Sequence, residues 1–141
     1  MAIKILPYTS RHFDGLAALW REAFPDDPAR NAAKSVVPSK LAVQPDLLLV
    51  AVDGDLVVGS VMAGYDGHRG WINRIAVLKL HRGQGIGRRL IAEAEARLQV
   101  MGCIKVNLQV LVSNQAAVEF YRHAGYVVEE RISMSKQLER K

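Results

Sequence analysis

The feature that most constrains this chain is an order of four linked pieces near its middle. An apolar strand over residues 71–77 leads through a short basic link into Arg82-Gly83-Gln84-Gly85-Ile86-Gly87, which opens a helix running to about residue 101. Strand, tight glycine turn and helix start are the parts of an anion cradle. Glycine lets the backbone approach a ligand closely, and the unpaired N–H groups of a helix N-terminus point at it with the positive end of the dipole. Gly83, Gly85 and Gly87 supply the approach, and Arg82 and Arg88 add charge-assisted hydrogen bonds.

Charge supports a small anionic ligand. The chain carries a net +5, and residues 79–89 hold Lys79, Arg82, Arg88 and Arg89, with His81 and no acid. A solvated basic face would explain the charge without the glycines; with them, a compact cluster suits a small polyphosphate better than a long duplex. A dinucleotide fingerprint needs G-x-G-x-x-G directly after the strand, but Arg88 stands where its third glycine belongs. A nucleotide P-loop needs Gly-Lys followed by Ser or Thr, and the chain has Gly87-Arg88-Arg89.

Periodicity predicts the surrounding elements. A strand over 3–6 is followed by a helix capped by Thr9 or Ser10, with Phe13, Leu16, Ala17, Trp20, Ala23 and Phe24 on one stripe and Pro25 at its end. Asp27-Pro28 opens a second helical stretch over 29–44, which Pro38 is expected to split. Apolar runs over 47–52 and 56–65 flank Asp53-Gly54-Asp55, a hairpin signal. The helix from 85 places Ile86, Leu90, Ala94 and Leu98 on one face, pairs Glu93 with Arg97, and stops at Gly102. Residues 105–112 alternate as a strand, Asn114 caps a last helix ending at Gly125, and strands over 126–129 and 132–136 are expected to close the chain. Strands interleaved with helices argue for a mixed α/β sheet covered on both faces.

Length fits one domain spanning residues 1–141, and half the residues are apolar. No apolar run approaches the roughly 18 residues of a membrane span, and the N-terminus lacks the pattern of a signal peptide. Cys103 is alone and cannot form an internal disulfide, so the expected location is cytoplasmic. His12, His81 and His123 are expected on helix surfaces or the link. None has metal-ligand spacing with Cys103, which reads as a core filler, and no metal site is expected.

Arg82-Gly83-Gln84-Gly85-Ile86-Gly87 resembles the Arg/Gln-x-x-Gly-x-Gly/Ala signature of the GNAT N-acetyltransferase superfamily. Asn114, Ala117, Tyr121 and Gly125-Tyr126 match that family's downstream Asn-x-x-Ala-x-x-x-Tyr-x-x-x-Gly-Phe/Tyr pattern. The loop Gly64-Tyr65-Asp66-Gly67-His68-Arg69-Gly70 is similar to that of the small YpeA-type bacterial acetyltransferases. The resemblance implies an acyl-CoA N-acyltransferase fold, with a mixed sheet splayed between two parallel strands and helices on both faces. It also implies transfer of the acetyl group of acetyl-CoA to a primary amine by direct attack, with no metal.

Carried onto this chain, the resemblance gives residue roles. Backbone groups of Ile75, Ala76 and Val77 would pair with the pantetheine amides and face the oxyanion. The turn of Arg82, Gly83, Gln84, Gly85, Ile86, Gly87 and Arg88 would hold the pyrophosphate. Asn114, already explained as a helix cap, would also bond the cofactor from the opposite wall. Tyr121 would face the cofactor sulfur, where a phenol of ordinary pKa near 10 can protonate a departing thiolate; the plainer reading is an aromatic core residue beside Phe120.

The departures leave the base unassigned. Relatives often carry a glutamate on the strand before the turn, or on the next strand, where this chain has Gln109. Ordered water, His68 or Asp66 remain, with His68 equally readable as a hydrogen-bonded loop residue. The missing carboxylate keeps open a sensor or pseudoenzyme that binds acetyl-CoA without turnover. A nucleic-acid-binding module would need exposed aromatics among the basic residues, and the aromatics here sit on apolar faces. The implied partners are acetyl-CoA and an unidentified amine acceptor, a small molecule or a protein amine. No membrane or nucleic acid is expected, and a homodimer is left open.

Overall fold

Strand β2 (Leu48–Asp53) is buried along nearly its whole length, which means that both faces of the sheet around it are covered. The computed structural model describes residues 2–139 and divides the chain into two compact units, Met1–Gln109 and Val110–Lys141. In the first, β1 (Ile3–Pro7), β2, β3 (Leu56–Tyr65), β4 (Gly70–Val77) and β5 (Val106–Asn107) form one sheet in sequence order. All neighbours are antiparallel except β4 and β5, which run parallel.

Helices α1 (Phe13–Ala23) and α2 (Ala33–Val43) precede β2, and α3 (Ile86–Val100) links β4 to β5. The alternation of β2 divides the core. Leu48, Val50 and Val52 join Leu16, Leu19 and Trp20 of α1 with Ala33 and Val37 of α2. On the other face, the position a Cβ on Gly59 of β3 would take meets Leu90 of α3 at 3.0 Å and Ala51 of β2 at 3.4 Å. The expected α3 face is buried, with Leu90, Ala94 and Leu98 fully enclosed, and Arg97 Nε reaches Glu93 at 3.1 Å. Cys103 is buried where a Cβ on Gly70 would lie 2.7 Å from its sulfur, so it is a core residue that requires glycine beside it.

Four expectations need correction. Pro38 does not split the helical stretch. A single turn (Ala29–Asn31) comes first, and α2 then runs through the proline. Proline removes one helical hydrogen bond, but α2 is anchored on both sides of it. Ala33 and Val37 are buried before it; after it, the Lys40 ammonium bonds Ala63 O, and the Gln44 amide bonds Tyr65 O at 2.8 Å. His12 is buried rather than superficial: its Nδ1 accepts the Thr9 backbone N–H at 3.0 Å in a capping box, and burial lowers its pKa.

The strand expected over 105–112 is reduced to Val106–Asn107, and the strands expected over 126–136 are absent among the described residues. The second unit instead holds α4 (Gln115–His123), followed by a segment whose Ile132, Met134 and Leu138 are exposed. Alternating residues choose a face, but a strand also needs a ladder partner, and no ladder forms there.

Candidate active site

The site begins with an extra residue in β4. Met62 lies opposite Asn73 and Ser60 opposite Ala76, so β4 takes one more step than β3 between those pairs. Arg74 absorbs that step with φ of 53°, a left-handed conformation uncommon for a long side chain. Two buried groups hold it there. Trp20 Nε1 donates to Ser60 Oγ at 2.9 Å, and Ser60 Oγ donates to Arg74 O at 2.8 Å.

The bulge reverses which backbone groups point outward. Before it, Gly70 N–H faces β5 and bonds Lys105 O at 2.9 Å. After it, Leu78 N–H bonds Val58 O at 2.9 Å. Together with the Gly59–Val77 pairing, this turns the backbone of Ala76 and Leu78 toward β3 and that of Ile75 and Val77 away from it. Strand β5 pairs with β4 only at Gly70 and Trp71, so beyond Trp71 that outward edge has no ladder partner among the described residues. The Val77 carbonyl accepts Arg82 Nε–H at 3.1 Å.

Directly past this edge, the chain makes one tight helical turn (Lys79–His81) and enters the glycine turn. Gly83 and Gly85 have φ of 81° and 80°, and nothing lies within 4 Å of where a Cβ would stand on either. Conformation, not crowding, therefore demands glycine at both positions, and the backbone face beside them is open. Gly85 is the N-cap of α3, and the first N–H to reach back to it is that of Arg89 at 3.1 Å. The N–H groups of Ile86, Gly87 and Arg88 precede it and have no carbonyl four residues back within the helix. Arg82 and Arg88 are exposed, whereas Arg89 bonds Ile3 O at 2.8 Å and so ties α3 to β1. An open strand edge running into an anion-binding helix start fits a long cosubstrate that has amides at one end and phosphates at the other.

In the second unit, Asn114 caps α4, its Oδ1 accepting Ala117 N–H at 3.1 Å. Tyr121 is buried against the rings of Phe120, at 5.1 Å between centroids, and Tyr126, at 5.9 Å. Burial pushes its pKa up to about 12. Its hydroxyl has no hydrogen-bond partner among the described residues.

A pocket of about 430 Å³ opens on the first unit beside the bulge. Phe24, Val36 and Met62 give it apolar walls, and Asp27, Asn31, Asn73 and Arg74 its polar ones. The Arg74 guanidinium forms an ion pair with Asp27, bonds Asn31 O at 3.2 Å, and lies over the rings of Phe24 at 4.5 Å and Trp20 at 5.1 Å.

The description "Acetyltransferase (GNAT) family" matches residues 12–126. The chain belongs to this family. An acetyltransferase of Yersinia pestis is 38% identical over 108 residues, covering 77% of each chain. One from Pectobacterium atrosepticum is 37% identical over 128 residues, covering 89% of each. The fold is also that of the PaiA N-acetyltransferase of Thermoplasma acidophilum, solved in complex with coenzyme A, with a TM-score of 0.80 at 17% identity over 94% of each chain. As a GNAT protein, the chain is an acetyl-CoA-dependent N-acetyltransferase.

Among the GNAT signature residues, Ile75, Ala76 and Val77 and the turn from Arg82 to Arg88 lie consecutively in the first unit; Asn114 and Tyr121 lie in the second. The loop that had supplied two base candidates is at the other end of β4. Gly70 and Ile75 are five residues apart, roughly 16 Å along a strand. Asp66 is also committed to its own turn, its Oδ1 accepting the N–H groups of His68 and Arg69 at 2.7 Å each, and these bonds lower its pKa. Sequence reasoning missed Trp20, Asp27, Ser60 and Arg74. The only local signal was an arginine inside an otherwise largely apolar strand.

Proposed function

We propose that acetyl-CoA lies along the outer edge of β4, with its pantetheine amides paired to the backbone of Ile75 and Val77 and its pyrophosphate on the N–H groups of residues 83–88. The observation that carries this reading is the reversal at Arg74. It turns Ile75 and Val77 outward at the stretch where β4 loses its neighbour and leads into the glycine turn. Ala76 faces β3 and acts by holding the spacing. Arg82 would release Val77 O to the incoming amide and turn its charge, with that of Arg88, toward phosphate.

In this reading the acceptor amine approaches through the pocket beside Arg74, one residue before Ile75. Outward N–H groups on β4 stabilise the oxyanion as the amine attacks the thioester carbonyl. The family motif that Asn114 and Tyr121 match would give the former a bond to the cofactor and the latter a role at its sulfur. A phenol near pKa 12 remains protonated at neutral pH, but it is a weaker acid than the ordinary phenol first expected. Proton transfer to a thiolate of pKa ~8.5 is uphill by about 3.5 units, so Tyr121 stabilises the leaving sulfur by donating a hydrogen bond.

The ammonium sheds one proton to water before attack, since β4 holds no carboxylate; the second leaves nitrogen as the C–S bond breaks and reaches the departing thiolate through water. Residues 1–141 act as one acetyltransferase domain, supported by a family match that runs through both units. No described helix is long and apolar enough to cross a membrane, and a cytoplasmic location agrees with the single buried thiol. The test is release of free thiol from acetyl-CoA across a panel of amines, alongside calorimetry of acetyl-CoA binding. Binding that weakens with salt, and thiol release that requires an amine, support the reading; absence of acetyl-CoA binding overturns it.

A further inference from the structure

We propose that the pocket beside Arg74 selects acceptors that present a cationic amine with no anionic group beside it. This rests on the acetyl-transfer reading above and adds to it the charge class of the acceptor.

Arg74 is the only cation among the described residues that line the pocket, and it is already spent. Asp27 neutralises it, Asn31 O takes a second N–H, and the rings of Trp20 and Phe24 cover it, leaving its side chain 13% exposed. An acceptor carboxylate or phosphate therefore finds no free positive charge. Asp27 is more open, at 31%, and only its Oδ2 is engaged; Oδ1 has no partner among the described residues. An ammonium can take that oxygen without breaking the pair with Arg74, whereas an anion meets it as a like charge.

The side-chain amides of Asn31 and Asn73 are likewise unbonded among the described residues, and they can orient hydroxyl or amide groups. Phe24, Val36 and Met62 leave apolar wall for a carbon stem, and the volume matches that of a small-molecule site. Asn73 and Arg74, which line the pocket, lie immediately before Ile75 on β4. Asp27 is here a specificity residue: it holds the ammonium before the amine loses its proton to water.

The experiment measures kcat/KM for matched acceptors, tyramine against tyrosine and ethanolamine against phosphoethanolamine, with calorimetry of acetyl-CoA as the control for an intact site. The wild type should favour the member without the anion by about tenfold or more, the size of one charge-assisted hydrogen bond. Asp27→Asn removes the ammonium's partner and frees Arg74. Rates for tyramine and ethanolamine should fall about ten- to hundredfold, while those for tyrosine and phosphoethanolamine rise. A purely structural role for Asp27 would lower both members of each pair together. If Asp27→Asn does not fold, Asn73→Asp serves instead and should sharpen the preference for the cationic member. Equal or better use of the anionic members by the wild type, or parallel loss in Asp27→Asn, overturns the proposal. No acetylation of any member while acetyl-CoA still binds overturns it too, and leaves the acetyl-CoA reading standing. Failure of acetyl-CoA to bind the wild type removes both.

Discussion

Ser60 is fully buried and carries two hydrogen bonds that meet at one atom, which makes Ser60→Ala an informative perturbation. Its Oγ accepts from Trp20 Nε1 at 2.9 Å and donates to Arg74 O at 2.8 Å. Alanine leaves a buried indole N–H and the bulge carbonyl without that partner. Each stranded group costs about 1–3 kcal/mol, so the expected destabilisation is about 2–6 kcal/mol. That is a large share of the ~5–15 kcal/mol by which a domain is usually stable. With a urea slope of ~2 kcal/mol/M, the midpoint should fall by about 1–3 M. In a cycle with Trp20→Phe, the double variant should lose less than the sum of the singles, because the two residues share a bond. Acetyl-CoA affinity should weaken as well, since the bulge determines which way Ile75 and Val77 face. A midpoint within about 0.2 M of wild type, with unchanged acetyl-CoA affinity, would refute the claim that Ser60 locks the bulge.

Gly85→Val should reduce acetyl-CoA affinity by about tenfold or more through backbone strain at φ of 80°, since no neighbour crowds the position; calorimetry decides it. Tyr121→Phe should lower kcat by about 10- to 100-fold with little change in acetyl-CoA affinity, less than a general acid's usual contribution because the phenol donates a hydrogen bond and keeps its proton. Because the folded pKa of Tyr121 is raised from 10.0 to about 12, the unfolded chain loses that proton first, and stability should decline as pH rises through this window; Tyr121→Phe should flatten the decline in alkaline urea melts. His68→Ala and Asp66→Asn should leave the pH–rate profile without a lost limb near 6.5, because their loop is roughly 16 Å along β4 from Ile75; disappearance of such a limb in His68→Ala would make that histidine the base.

What was legible in the sequence was carried by local repetition. The α1 stripe, the Asp53-Gly54-Asp55 hairpin and the α3 face follow from side chains whose neighbours lie within a turn or a strand step. The glycine turn was legible because its glycines have no substitute at positive φ. The bulge was not, because its cause is remote: Trp20 meets Ser60 across 40 residues, and Asp27 meets Arg74 across 47. No period encodes such a pair. The closing strands failed for a related reason. The alternation of Ile132 and Met134 states a preference for two faces but names no partner strand, and β5 has only Val106 and Asn107 in its ladder. Pro38 is the converse case, a strong local signal overridden by anchors on β3.

The most direct test of the central claim is an amide-resolved NMR titration of the intact chain with acetyl-CoA. The amides of Ile75, Val77, Gly83 and those from Gly85 to Arg88 should shift together, with one dissociation constant that rises with salt. Ala76, whose N–H faces β3, should shift less than its two neighbours. Shifts confined to the 66–69 loop, or none along β4 and the glycine turn, would contradict the account.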